Sequence, residues 1–153
     1  MMKRPTFSIA HKDEEMVDLV QETDQKILAR WAIACAERVL PFFENEFPND
    51  HRPRKALETL QSWIDTGVFQ MSVIRGASLA SHAAAREVGT DSPARSAARA
   101  AGQAVATAHV KAHAYGSAIY AQQAIFRASE IAIAEKEVTK ERDWQFKRLT
   151  AKN

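Results

Sequence analysis

Apolar residues recur every three or four positions along most of this chain, which is the spacing of one face of an α-helix. The first strong run follows Thr23 and Asp24, either of which can cap a helix N-terminus. Pro41 interrupts this run, so we expect a kink or a new turn near Leu40. The apolar residues of the run are Ile27, Leu28, Trp31, Cys35, Val39, Phe42 and Phe43.

Glycine and proline mark the ends of several further helices. Pro53 suits the first turn of a second helix, and Gly67 ends it. A third helix is likewise predicted to end at a glycine, Gly89. Ser92 with Pro93 then forms a start signal for a fourth helix. The predicted helices cover about 53–66, 72–88, 93–115 and 117–135, and the pattern allows the last one to continue to 149.

No segment alternates apolar and polar residues as a β-strand does, which predicts an all-α fold. We expect a single helical bundle of about five to six helices over residues 13–150, preceded by an N-terminal tail at 1–12. Alanine fills 20 of the positions from Ala77 to Ala132. Because alanine favours helix and is small, we predict an alanine-rich core with closely packed helices, particularly at Gly102.

Charge and cysteine content narrow the class of protein. The formal net charge of +2 does not by itself indicate nucleic-acid binding. The single cysteine, Cys35, excludes an intrachain disulfide. No apolar stretch reaches the roughly 18 residues of a membrane span, and no signal-peptide pattern precedes the charged residues after His11. We therefore expect a cytoplasmic protein.

Three histidines are candidates for binding a metal or a small molecule. His109 and His113 lie four residues apart in one predicted helix, so their imidazoles would share a face, and His82 could join them. The segment lacks the glutamate that a zinc-protease helix carries beside its first histidine. The pattern fits either a metal- or small-molecule-binding enzyme or hydrogen-bonded structural histidines, and we expect no metal and no cofactor.

Four charged residues are predicted to tie the first long helix to its neighbours. Glu37 and Arg38 follow an apolar run, and Arg52 and Arg54 stand ahead of the second helix. Because a guanidinium group binds a carboxylate with two hydrogen bonds, we expect a buried structural ion pair that ties this helix to its neighbour. A catalytic role for Glu37 is the alternative, but no second acid, nucleophile or base stands near it in the sequence.

A basic group flanks the predicted turn between the third and fourth helices. It consists of Arg86, Arg95 and Arg99, which could bind phosphate or an acidic partner or could form a solvated helix face. A small DNA-binding regulator that uses Arg95 and Arg99 is a further alternative. The alanines that follow lack the polar side chains that read base edges, so we do not expect a nucleic-acid partner.

Several segments of the chain resemble a known family. They are Trp31-Ala-Ile-Ala-Cys-Ala-Glu-Arg-Val-Leu-Pro41, Arg52-Pro-Arg-Lys-Ala56, Ser81-His-Ala-Ala-Ala-Arg-Glu87, the alanine-rich stretch 97–113, and Trp144-Gln-Phe-Lys-Arg-Leu149. Together they are similar to the putative immunity protein family of bacterial polymorphic toxin systems, which has an immunity-five-like domain. The resemblance covers about 24–149 and implies an all-α protein that neutralises a co-encoded toxin by binding it.

This resemblance makes binding of a cognate toxin our first functional prediction, with the protein acting as a binding protein and not as an enzyme. A homo-oligomer stays open as a further partner, and no membrane is expected. Acidic surface suits a basic protein partner, so we place the contact on the acidic segment near the N-terminus. The partner-binding candidates are Asp13, Glu14, Glu15, Asp18 and Glu22.

Overall fold

The computed structural model describes residues 7–9 and 12–151. Over these residues the chain forms seven α-helices and no strand, which confirms the all-α prediction and corrects the expected five to six helices. Most of the predicted tail at 1–12 lies outside the described residues. No helix in the described part is long and apolar enough to cross a membrane. The helices are α1 Glu14–Glu22, α2 Gln25–Glu44, α3 Arg52–Thr66, α4 Met71–Val88, α5 Pro93–Ala106, α6 His113–Ala128 and α7 Ala134–Ala151.

Local capping residues set several helix ends where the sequence predicts them. The side chain of Asp24 accepts hydrogen bonds from backbone N–H groups in the first turn of α2, and Ser92 does the same for α5. Gly67 and Gly89 follow α3 and α4 in the left-handed conformation, with φ of 70° and 82°. Glycine adopts this conformation at little cost, so both helices stop there.

Pro41 lies inside α2, which continues to Glu44. A new turn therefore does not begin near Leu40. The backbone hydrogen bonds resume beyond the proline, since Asn45 N donates to Pro41 O at 2.9 Å. Leu40 and Phe43, on either side of Pro41, are both buried, and this packing holds the end of the helix against the core.

The end of α5 differs from the sequence prediction. The helix stops at Ala106 and not near Tyr115. Nε2 of Gln25 donates to the carbonyl oxygens of Thr107 and Ala108 at 2.9 and 3.0 Å. These bonds satisfy carbonyl groups that would otherwise bond to a continuing helix. Because Gln25 is more than 80 residues away in sequence, nothing local signals this end.

The prediction that one helix continues from 117 to Leu149 is also wrong, because this segment forms two helices. α6 ends at Ala128, and α7 begins at Ala134. The backbone at Ser129 is extended, and its hydroxyl group donates to the carbonyl oxygen of Ile125 at 2.7 Å. α6 therefore ends at an extended serine, without a glycine or a proline.

α5 lies at the centre of the fold and packs against α2, α3, α4 and α6. α1 and α7 both contact α6. Larger buried side chains come from α2 and α3, for example Trp31, Phe43 and Leu60. The small buried side chains of α5 and α6 leave room for neighbouring helices to approach. The buried alanines of α5 and α6 are Ala94, Ala97, Ala98, Ala100, Ala101, Ala104, Ala114, Ala118, Ala121 and Ala124.

Candidate functional site

Three carboxylates lie one turn apart along the exposed side of α1. Glu14, Asp18 and Glu22 follow each other at intervals of four residues, and all three are exposed. None of them forms an ion pair with another residue that the structure describes. We call these three residues the acidic stripe. Their charges are free to meet a basic partner.

Asp13 and Glu15, the other two acidic candidates, form ion pairs within the protein. Arg142 of α7 donates from Nε to Asp13 at 2.8 Å and from Nη2 to Glu15 at 2.6 Å. Asp13 also caps α1 by accepting from the backbone N–H of Met16 at 3.2 Å. The hydrogen bonds from Arg142 lower the pKa of Asp13, against the effect of its partial burial. These contacts anchor α1 to α7.

A groove of about 450 Å³ lies beside the acidic stripe, between α1 and the connection from α5 to α6. Val17 and Val20 line the α1 side, and Val110 and Tyr115 line the other. Val110 is 42% exposed, so apolar surface is open to solvent here. We call this feature the α1 groove. Its residues are Lys12, Val17, Val20, Gln21, Val110, Lys111, Ala112 and Tyr115.

The sequence indicates the acidic residues of α1 but not the groove beside them. The helix predicted over 93–115 includes Val110, whereas in the structure Val110 lies in the connection that follows α5. Nζ of Lys111 donates to the backbone oxygen of Gln21 at 2.9 Å and links this connection to α1. The groove forms only because α5 ends early, so no local pattern could predict it.

His109 and His113 do not share a helix, which corrects the sequence prediction. His109 lies in the connection after α5, and its ring stacks on Phe69 with centroids 6.3 Å apart. His113 begins α6, and its Nδ1 lies 2.8 Å from Oε1 of Gln103. Both histidines border a cavity of about 270 Å³. Burial is the main cause that lowers the pKa of His113, so the neutral form is favoured.

His82 has a different partner. Nη1 of Arg99 lies 2.9 Å from Nδ1 of His82, and because guanidinium can only donate, this nitrogen is the acceptor. Burial, followed by the charges of Arg99 and Arg86, lowers the pKa of His82 to about 4. A guanidinium group in this position opposes a metal cation at the same nitrogen. Within the described part of the chain, no three His, Cys, Asp or Glu side chains are grouped so that they could hold a metal ion.

The arginines near α2 bind carboxylates that the sequence does not indicate as their partners. Arg38 donates to both oxygens of Glu141 at 2.8 and 2.9 Å and so joins α2 to α7. Arg54 binds Glu44 at 2.8 Å but reaches Glu37 only at 3.5 Å. The side chain of Glu37 is 51% exposed, so the prediction of a buried pair is wrong for this residue. Glu141 stands in a run of mixed charges, a pattern typical of a solvated face, so its burial gives no signal in the sequence.

Arg52 joins the beginning of α3 to the end of α4. It lies 2.7 Å from Asp50 and 2.9 Å from Glu87. Hydrogen bonds from Arg52 lower the pKa of both carboxyl groups. The pairs formed by Arg38, Arg52 and Arg54 hold neighbouring helices together.

The model of one protein family matches the chain over residues 18–152 and is described as Imm-5 like putative immunity protein. The match confirms the resemblance that the segments around Trp31 and Arg52 indicate, and it includes Asp18 and Glu22 of the acidic stripe. No curated protein and no solved structure matches the chain. With almost its whole length matched, the chain belongs to the Imm-5 like putative immunity protein family.

Proposed function

We propose that this protein neutralises a cognate bacterial toxin by binding it directly, with α1 as the contact surface. The observation that carries the proposal is the acidic stripe, three exposed carboxylates without ion pairs to described residues, beside the largely apolar α1 groove. Membership of an immunity protein family supports a protein partner of this kind. The action is stoichiometric binding in the cytoplasm and needs no catalytic group.

The shape of the site fits a protein interface. Stable interfaces combine an apolar centre with a polar rim, and the α1 groove with its flanking carboxylates offers both. Exposed carboxylates attract a basic surface and speed its association at low salt. A toxin that acts on nucleic acid carries such a surface, because it must bind phosphate groups. By covering that surface, the acidic stripe would exclude the toxin's substrate.

A binding experiment with a matched control tests this proposal. The partner is the product of the neighbouring toxin-like gene, purified in an inactive form. The stripe variant carries Glu14→Lys, Asp18→Lys and Glu22→Lys. The control variant carries Glu58→Lys, Glu130→Lys and Glu135→Lys, which are also exposed acids without ion pairs to described residues and give the same change in net charge.

We expect a stoichiometric complex with the wild-type protein and a Kd at least about tenfold weaker for the stripe variant than for the control. If the wild-type protein does not bind at micromolar concentration, the proposed function is wrong. If both variants bind like the wild type, the function stands but the surface is wrong. In that case the exposed apolar side chains around α4, such as Phe69 and Leu79, become the surface to test.

A further inference from the structure

Four arginines meet where the end of α4 lies beside α5 and α6. Arg95 and Arg127 converge on one oxygen, Oδ1 of Asp91, at 3.0 and 3.5 Å. Arg99 follows Arg95 by one turn of α5 and contacts His82. The arginine cluster consists of Arg86, Arg95, Arg99 and Arg127.

Arg86 belongs to the same group by its position on α4. It follows His82 by one turn, and His82 is the residue to which Arg99 donates. The charges of Arg99 and Arg86 both act on the pKa of His82, after burial. Arg86 is exposed and forms no ion pair with a residue that the structure describes. Its guanidinium group is therefore free to turn toward a ligand.

Arg99 is partly buried and has few acceptors. Its one side-chain partner within the described residues is Nδ1 of His82, although a guanidinium group carries five N–H donors. Burial is the main cause that lowers the pKa of Arg99, and the charges of Arg86 and Arg95 lower it further. Tyr120 acts in the opposite direction, and no carboxylate among the described residues forms an ion pair with Arg99.

The charge balance of the cluster is strongly positive. Among the described residues, Asp91 is the one carboxylate that pairs with these four guanidinium groups, and its side chain is 73% exposed. Burial and the charge of Arg95 lower the pKa of Arg127, while Asp91 acts in the opposite direction. A further anion would relieve the repulsion among the arginines and would use the remaining donors of Arg99.

We propose that the arginine cluster is a binding site for a phosphate group. Phosphate is close to doubly charged at neutral pH and offers several oxygens, so it can accept from more than one guanidinium group at a time. Asp91 shows that Arg95 and Arg127 can reach a common acceptor oxygen, and phosphate would share these donors or displace Asp91. The cluster uses helices other than α1, so the inference goes beyond the proposed toxin-binding site.

Titration of the full chain with inorganic phosphate tests the inference. Binding is followed by calorimetry or by NMR of the arginine side chains, against sodium chloride at equal ionic strength. We expect saturable phosphate binding by the wild-type protein and a Kd about tenfold or more weaker for Arg99→Met. Arg75→Met is the matched control, because Arg75 is an exposed arginine of α4 outside the cluster, and it should leave the Kd unchanged.

A third variant separates ligand binding from a loss of folding. Asp91→Asn removes the internal carboxylate that competes for Arg95 and Arg127, so phosphate should bind several-fold more tightly. A damaged fold cannot produce tighter binding. Thermal unfolding without phosphate checks each variant, and Arg86→Met, a change at an exposed position, repeats the test if Arg99→Met does not fold.

Three results would overturn the proposal. They are a wild-type response to phosphate no larger than to chloride, equal phosphate affinity of the wild type and the folded arginine variants, and weaker binding by Asp91→Asn. Binding of a glutamate-rich peptide without any binding of phosphate would also overturn it, and would assign the cluster to an acidic protein segment. None of these results bears on the toxin-binding experiment, whose variants leave the cluster unchanged.

Discussion

Arg38 binds the carboxylate of Glu141 with two hydrogen bonds, from Nε at 2.8 Å and from Nη2 at 2.9 Å. The two residues are 103 positions apart in the chain. Glu141 is 4% exposed, whereas the side chain of Arg38 is 40% exposed and lies over the ring of Trp144 at 3.8 Å. The pair therefore fixes the highly charged helix α7 against α2.

Replacing Arg38 by Met should leave the buried carboxylate of Glu141 without its cation. We expect a loss of about 2 kcal/mol in the free energy of unfolding, less than for a fully buried pair because Arg38 is partly solvated. The double variant Arg38→Met/Glu141→Gln should lose less than the sum of the single losses. Urea unfolding measures all three values.

An exposed ion pair on α7 provides the control for this cycle. Lys140 lies 3.3 Å from Glu137, and Lys140→Met should change stability by no more than about 0.5 kcal/mol. Additive losses at Arg38 and Glu141 would show that the pair does not couple α2 to α7.

Gly102 should not tolerate a methyl group, whereas Gly76 should. A Cβ atom at Gly102 would lie 2.7 Å from Nε2 of His82, and the hydrogen bond from Arg99 restrains that ring. We expect Gly102→Ala to cost about 1–3 kcal/mol. At Gly76, no described atom outside the neighbouring backbone of α4 lies within 4 Å of the added Cβ, so Gly76→Ala should stabilise α4 by about 0.5–1 kcal/mol.

Thermal or urea unfolding of the two glycine variants measures both effects. Both changes place alanine inside a helix, so the propensity gain is common to them and the difference reports the contact with His82. Wild-type stability of Gly102→Ala would mean that the ring can move aside, and that Gly102 does not set the approach of α5 to α4.

Stability should fall as the pH decreases from 6.5 toward 4, in part through His82. The pKa of His82 is lowered from 6.5 to about 4 in the fold, so between these values the unfolded chain binds more protons. The contribution is complete above pH 6.5 and is lost as the pH approaches 4. Allowing for partial exposure, we expect a loss of about 1–2 kcal/mol.

Unfolding free energies measured across this pH range test the role of His82. His82→Gln keeps an acceptor for Arg99 but cannot gain the proton, so its curve should be flatter than that of the wild type. His51→Gln, a change at an exposed position, serves as the control. If His82→Gln retains the full wild-type slope, other groups cause the loss, among them His113, whose pKa is also lowered.

The helix ends that the sequence predicts correctly depend on neighbouring residues. Asp24 and Ser92 accept hydrogen bonds from backbone groups within the next three residues, and Gly67 and Gly89 act through their own φ angles. Such effects need no knowledge of the rest of the fold. The acidic character of the segment that forms α1 is also visible in the sequence without knowledge of the fold.

The end of α5 and the partners of the charged residues could not be predicted in this way. α5 stops where Gln25, 82 residues earlier, reaches the carbonyl oxygen of Thr107. This early end separates His109 from His113 and opens the α1 groove. A pattern of helical spacing contains no information about a hydrogen bond between residues that are far apart in the chain.

By itself, the sequence of this Imm-5 like protein determined the all-α class, the starts and stops of several helices, and the acidic character of α1. The tertiary structure alone decided which acidic residues at α1 form ion pairs with described residues. Arg142 binds Asp13 and Glu15, although it lies 129 and 127 residues from them in the chain. Helix formation depends on residues within one turn, whereas charge pairing depends on which helix faces meet after packing. The sequence therefore indicates which surface is acidic, and the fold determines which of its carboxylates form ion pairs within the protein.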